Sequence, residues 1–224
     1  MVKQTLSKVT WDLLKGDPTI LEALERGYVN ISAVARLLKP RVEEAMGREV
    51  KLSGIIMAIR RVRARYRPFM EHIKVIANSV ITIRTNLAKI SLEKTRRNLE
   101  KARLLSIEFP DVFFQVLEGV GTLTLIMDQK VFNDVKPKFR EDEIIEEKSN
   151  LSAIIIQSPR EIIETPNCIS EFYNAMSRRR INIEETISCC TETIIVLDTS
   201  KLVEAYGTLT DLIEGARKRL SQIR

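Results

Sequence analysis

A chain of 224 residues with 44% hydrophobic and 29% charged residues has the composition of a globular protein, not a disordered one. One histidine and three cysteines, two of them adjacent (Cys189, Cys190), exclude a Cys/His zinc cluster and a disulfide framework, so a reducing cytoplasm is expected and neither metal nor cofactor. The net charge of +6 is uneven: residues 1–72 carry fourteen Lys/Arg against eight Asp/Glu, and the remainder carries twenty-two of each. The first residues lack a basic-then-apolar leader pattern and no apolar run approaches the ~20 residues of a membrane span, so no membrane association is expected.

Residues 1–72 read as helices separated by helix-stopping residues. Thr5–Lys15 places Leu6, Val9, Leu13 and Leu14 on one face and stops at Gly16-Asp17-Pro18. Pro18 suits a first helical turn with Asp17 as N-cap, opening a helix over Thr19–Arg26 that ends at Gly27. A third helix, Ile31–Leu38, is expected to close at Pro40, followed by a short one over Arg41–Met46 and a long one from Ser53 to Tyr66. Short helices before a longer basic one suggest a helix-turn-helix. Arg60, Arg61, Arg63, Arg65 and Arg67 wrap around the last helix instead of lining one strip, which suits phosphate contacts better than base reading. DNA is therefore one candidate partner of this module. A solvated helix end, with arginines complementing the dipole of a dimerising or structural module, is the other reading.

The rest of the chain repeats itself at an offset of 70. FFQVLEGVGTLTLIMD (113–128) falls without a gap on IEETISCCTETIIVLD (183–198). Each segment is preceded by a helical stretch (Thr95–Leu105; Cys168–Arg179) and, before that, by a strand (79–93; 151–158). Each is followed by a second helix (Lys130–Lys136; Ser200–Ile213). Strand–helix–strand–strand–helix used twice predicts ferredoxin-like units with both helices on one sheet face. Ile144–Lys148 is available to close the first block, whereas the second ends in the helical EGARKRLSQIR and has no closing strand. The edge left open must pair with the first block or with another chain.

IIIQSP followed by TPNCISEFYNAMSRRRINIEETISCCTETIIVLD resembles the regulatory ACT domains of aspartokinases, and INIEETIS in particular is similar to their second strand. Nothing resembles the aspartokinase catalytic domain. The fold class expected is therefore α+β: the N-terminal helical, helix-turn-helix-like domain (1–72), followed by two ferredoxin-like βαββα(β) domains (73–150 and 151–224) that the resemblance makes ACT-type. It also implies an amino-acid ligand, held where one domain meets another, at the loop after the first strand and the start of the second. Carried over, the loop supplies Ser158, Pro159, Asn167, Cys168 and Ile169, and the facing strand supplies Asn182, Ile183 and Glu184. Cys189 falls where the family often has a ligand-contacting serine or threonine.

The chemistry is consistent with that reading. The N–H groups of Asn167 to Ile169, at a helix start, can hold a carboxylate, and Glu184 can pair with an ammonium. A glutamate at a strand end is also commonly only solvated. Asn167 stands where the family usually has glycine, and asparagine tolerates positive φ. Neighbours on a strand point to opposite faces, so of Cys189 and Cys190 one is expected in the core and one near the crevice. Glu141-Asp142-Glu143 with Glu146-Glu147 reads as a solvated connector. Without a phosphate loop or a nucleophile–base pair, no catalysis is expected. The function expected is a homodimeric or larger regulatory protein that senses an amino acid and acts on DNA through its basic module. The alternatives are a detached regulatory subunit of a biosynthetic enzyme and a ligand-free scaffold.

Overall fold

The computed structural model describes residues 5–25, 27–65 and 71–223. The chain forms two compact units, Met1–Phe69 and Met70–Arg224.

In the N-terminal unit α1 (Leu6–Lys15) is capped by Thr5, whose hydroxyl accepts from the Lys8 N–H. α2 (Pro18–Glu25) opens with proline, and Asp17 accepts from the Ile20 N–H at 3.1 Å, as its sequence suggests. α3 (Ile31–Met46) is capped by Asn30 and ends at Gly47 with φ 63°, and α4 spans Leu52–Arg65. Leu14, Leu24, Leu38, Val42, Ile55 and Ile59 form the core they share. The break expected at Pro40 does not occur, because α3 runs through it. Proline removes one helical hydrogen bond, but Arg36 and Pro40 are both exposed, so water can take the Arg36 carbonyl. Val34, Leu38 and Val42, four residues apart, keep a continuous buried stripe across the proline.

The C-terminal unit is built on two central antiparallel strands, β1 (Val80–Glu93) and β4 (Ile144–Gln157). Each bends at a left-handed residue, Asn86 and Asn150, whose φ values are 56° and 57°, and the β1–β4 register shifts there and again between Ser91 and Leu92. Beyond its bend β1 pairs with β3 (Thr122–Asp128), which pairs with β2 (Phe114–Glu118). Beyond its own bend β4 pairs with β6 (Glu192–Asp198), which pairs with β5 (Glu185–Cys189). The result is one six-stranded antiparallel sheet ordered β2-β3-β1-β4-β6-β5.

The strand missing from the end of the second block comes from upstream. Val80–Arg84 pairs with Ala153–Gln157, and Ile81 packs into the second block's core. Ile144–Lys148 pairs with Lys89–Leu92 and closes the first block. The first block thus lends Val80–Arg84 to the second and is closed by a segment of its own. The second block's first-strand edge, expected to pair with the first block or with another chain, is covered by the first block's chain.

Both helix layers lie on one face. α6 (Arg96–Glu108) and the short α7 (Phe132–Val135) cover Ile90, Leu92, Leu123, Leu125 and Met127. Ile154, Ile156, Ile195 and Leu197 lie under α5 (Glu71–Ala77), α8 (Cys168–Arg178) and α9 (Leu202–Ile223), the last of which contains the charged tail. Strand alternation sends Leu87, Ile126, Leu151, Ala153, Ile194 and Val196 to the opposite, helix-free face. Glu146 and Glu147, expected in a solvated connector, are instead β4 residues paired with Lys89 at 3.0 Å and Lys136 at 2.7 Å. Only Glu141–Glu143 form a connecting turn, a single turn of 3-10 helix.

Candidate functional site

The loop between β4 and α8 starts from a fixed point. Ser158 donates its N–H to the Thr191 carbonyl at 2.8 Å, and its hydroxyl lies 2.9 Å from that of Ser79. Pro159 leads into a 3-10 turn (Arg160–Ile163) whose Ile162 is buried in the block's core. Asn167 then adopts φ 71°, the left-handed conformation expected of it, and its side chain makes no capping bond to α8. The N–H groups of a first helical turn have no partner inside the helix. Here they carry the dipole's positive end without a side-chain acceptor. Cys168 and Ile169 contribute differently. Cys168 is buried and burial raises its thiol pKa, and Ile169 packs on the same core. Their side chains support the fold, and only their backbone can face a ligand.

The expectation that this loop faces the start of the block's second strand is not met. Gln157 pairs with Glu192, whereas Glu185 pairs with Val196. Four residues of β6 separate the two ends, about 14 Å. The cause is topological, since α8 carries the chain back along the sheet before β5 begins. Ser158, Pro159, Asn167, Cys168 and Ile169 therefore gather at the end with the β5–β6 hairpin and Cys189. Asn182, Ile183 and Glu184 gather at the other end, beside Lys148.

At that second end Glu184 is already engaged. Its carboxylate accepts from Lys148 Nζ at 2.8 Å and Asn182 Nδ2 at 3.2 Å, with Lys89 Nζ at 3.7 Å. The Lys148 hydrogen bond holds Glu184 below the usual carboxylate range and raises the pKa of Lys148. Lys89, whose side chain is 5% exposed, also meets Glu146 at 3.0 Å and Glu185 at 3.7 Å. Lys89 is the buried member of this set and has three carboxylate neighbours, so loss of one of them leaves it still paired. This network joins β1, β4 and the start of β5 across the helix-free face. A lone lysine in the apolar run LAKISL was its visible sign in the sequence. Sequence reasoning also missed Ser79 and Thr191, which hold the loop, and Thr193, whose hydroxyl is buried without a partner near the same end.

The cysteine expectation is also corrected: Cys189 and Cys190 are both exposed. They occupy the end of an edge strand and the hairpin turn, where Cys190 has φ 54° and neither side chain is enclosed. In the N-terminal unit Arg60, Arg61 and Arg63 are exposed on α4. A β-carbon added at Gly27 would meet Arg63 Nη2 at 3.1 Å, so this guanidinium lies against the chain after α2. The side chain of Arg65, and Arg67 altogether, lie outside the described residues.

Solved structures share this architecture. The regulatory subunit of aspartate kinase from Thermus flavus superposes with a TM-score of 0.51, covering 59% of this chain and 95% of that one at 11% identity. A structure of aspartokinase alpha and beta subunits gives 0.50 over 60% and 97% at 10% identity. Aspartate kinase from Synechocystis gives 0.51 at 12% identity, covering 62% of this chain and 27% of that enzyme. The likeness makes the fold ACT-like, that of aspartokinase regulatory regions. The chain spans nearly all of the regulatory subunit and about a quarter of the whole enzyme. No family model and no curated protein matches the sequence. Among the described residues, no helix is long and apolar enough to cross a membrane and no acidic, histidine or cysteine group is arranged to hold a metal ion.

Proposed function

We propose that this chain is a non-catalytic regulatory protein that binds an amino acid at the β4–α8 loop of its second block. The observation that carries this reading is the start of α8. Asn167 turns the chain through positive φ without capping the helix, leaving backbone donors suited to an α-carboxylate. Ser158, Pro159, Asn167, Cys168, Ile169 and Cys189 would frame that end. Because Asn182, Ile183 and Glu184 lie at the other end and Glu184 is paired with lysines, the ammonium is met by another surface. A second copy of the chain is the simplest source, which makes the binding form a homodimer. A thermal-shift screen of the amino acids tests the reading: one of them should raise the melting temperature, and no shift with any of them leaves a ligand-free scaffold.

The target of regulation is proposed on separate grounds. The net positive charge of residues 1–72 and the exposed Arg60, Arg61 and Arg63 favour DNA, and so a transcriptional regulator. The likeness to separate regulatory subunits favours an enzyme partner instead. Binding that neutralises several phosphates must weaken steeply with salt. Absence of DNA binding even at low salt would leave the enzyme partner.

A further inference from the structure

We infer that Ser79 is a positioning residue for the β4–α8 loop and couples it to α5, so that occupancy of the loop is reported to the helix that follows the N-terminal unit in the chain. The inference rests on the ligand reading proposed above. Ser79 and Ser158 are 0% and 5% exposed, and their hydroxyl oxygens lie 2.9 Å apart although 79 residues separate them. The direction of the bond follows from the protons available. The Ser79 hydroxyl has a single proton and donates it to the Val75 carbonyl at 2.9 Å, so Ser158 must donate to Ser79. A one-way relay therefore runs from the first residue of the loop, through Ser79, to the last turn of α5.

The apolar packing follows the same route. Ile162 of the loop shares a core cluster with Ile73, Val75 and Ile76 of α5. The far side of that helix end is fixed by Arg217, whose Nε donates to the Ala77 carbonyl at 2.8 Å. Ser158 is held on its other side by Thr191. A shift of the loop that breaks the Ser158–Ser79 bond leaves a buried donor without an acceptor, a cost that favours joint movement of loop and helix. The first block has no counterpart: the backbone N–H groups of its two-residue link, Lys94 and Thr95, donate to the Gly121 and Glu93 carbonyls.

Hydrogen exchange on the full chain tests the coupling in both directions. Ser158→Ala should speed exchange of the Asn78 and Ser79 amides about threefold to tenfold, as expected for one lost buried bond. Ser79→Ala, which breaks both bonds of the relay, should speed exchange around Ile162 and Glu164 by at least as much. The double variant should fall short of the product of the two effects. Effects confined to the mutated segment overturn the coupling, and so does a uniform rise that includes Leu125 of β3, which signals general destabilisation. A mixture of the proteinogenic amino acids supplies the second arm. It should protect both loop and α5 in the wild type, and only the loop in Ser79→Ala. Protection of the loop without α5 in the wild type sinks the inference, whereas no protection of the loop sinks the ligand reading while the substitutions still decide the coupling.

Discussion

The two blocks of the C-terminal unit are alternative treatments of one fold. In both, the first strand hands its chain to the hairpin of the same block: Lys94 donates its N–H to the Gly121 carbonyl, and Ser158 donates to Thr191, 70 residues beyond Gly121. After that shared bond they diverge. The first block reaches α6 through Lys94 and Thr95 alone. Thr95 caps the helix through the Asn98 N–H, Asn98 Nδ2 bonds the Glu93 carbonyl, and Lys94 Nζ bonds the Gly119 carbonyl and the Glu118 carboxylate. The second block inserts a ten-residue connection, residues 158–167, and leaves α8 uncapped. In the first block the helix start is filled by the chain's own side chains. In the second the N-cap side chain makes no such bond. The fold supplies the position, and the connection decides whether it is occupied.

The comparison assumes that two blocks sharing β1 and β4 form one structure, and the largest expected effect tests that assumption. Phe172 is fully buried in the second block alone. Phe172→Ala should cost about 3–5 kcal/mol. Because Val80–Arg84 of the first block completes the second, and β1 and β4 each run through both blocks, the loss should reach the first block. Exchange protection at Leu125 and Met127 should fall together with that at Ile154 and Ile195. A first block that keeps its protection while the second loses it would make the blocks separately stable and the shared strands incidental.

Much of this was legible in the sequence, for identifiable reasons. The repeat showed because the hairpin segments 113–128 and 183–198 align without a gap. The turn at Asn167 showed because few residues other than glycine enter positive φ easily. The role of Val80–Arg84 did not show, since a strand that completes a block from upstream leaves no local mark. The resemblance set the loop and the strand start in one crevice, while the returning helix α8 places them at opposite ends of the block. Pro40 misled in the other direction, because a local rule lost to the buried stripe of Val34, Leu38 and Val42.

The difference between the two helix starts predicts opposite responses to similar substitutions. Thr95→Ala removes a capping acceptor and should cost about 1 kcal/mol. Asn167→Gly removes no cap and relieves a left-handed residue, so its stability should be unchanged or rise by a few tenths of a kcal/mol. Denaturant midpoints at constant m-value measure both. Equal losses at the two sites would mean that Asn167 caps α8 after all, and the proposed opening would disappear.

The smallest expected effect is the part of the pH response that the Glu184–Lys148 pair carries. Position 184 holds a glutamate where the offset-70 partner in the first block is Phe114, so only the second block has this carboxylate to titrate. The Lys148 hydrogen bond lowers the folded pKa of Glu184. Its contribution is therefore complete above the unfolded value of about 4.3 and is lost as the pH falls through the lower folded value. Lys148 is raised by the same bond, so its contribution is complete below about 10.4 and is lost as the pH rises through the raised folded value. Glu184→Gln should flatten the melting-temperature profile at both the acid and the alkaline end. The neutral plateau should drop, because Lys89 and Lys148 each lose a carboxylate neighbour. Profiles of the same shape for wild type and Glu184→Gln would mean that the Lys148–Glu184 contact is too solvated to matter. Glu184 would then be free to meet a ligand's ammonium, which would restore the strand start to the candidate site.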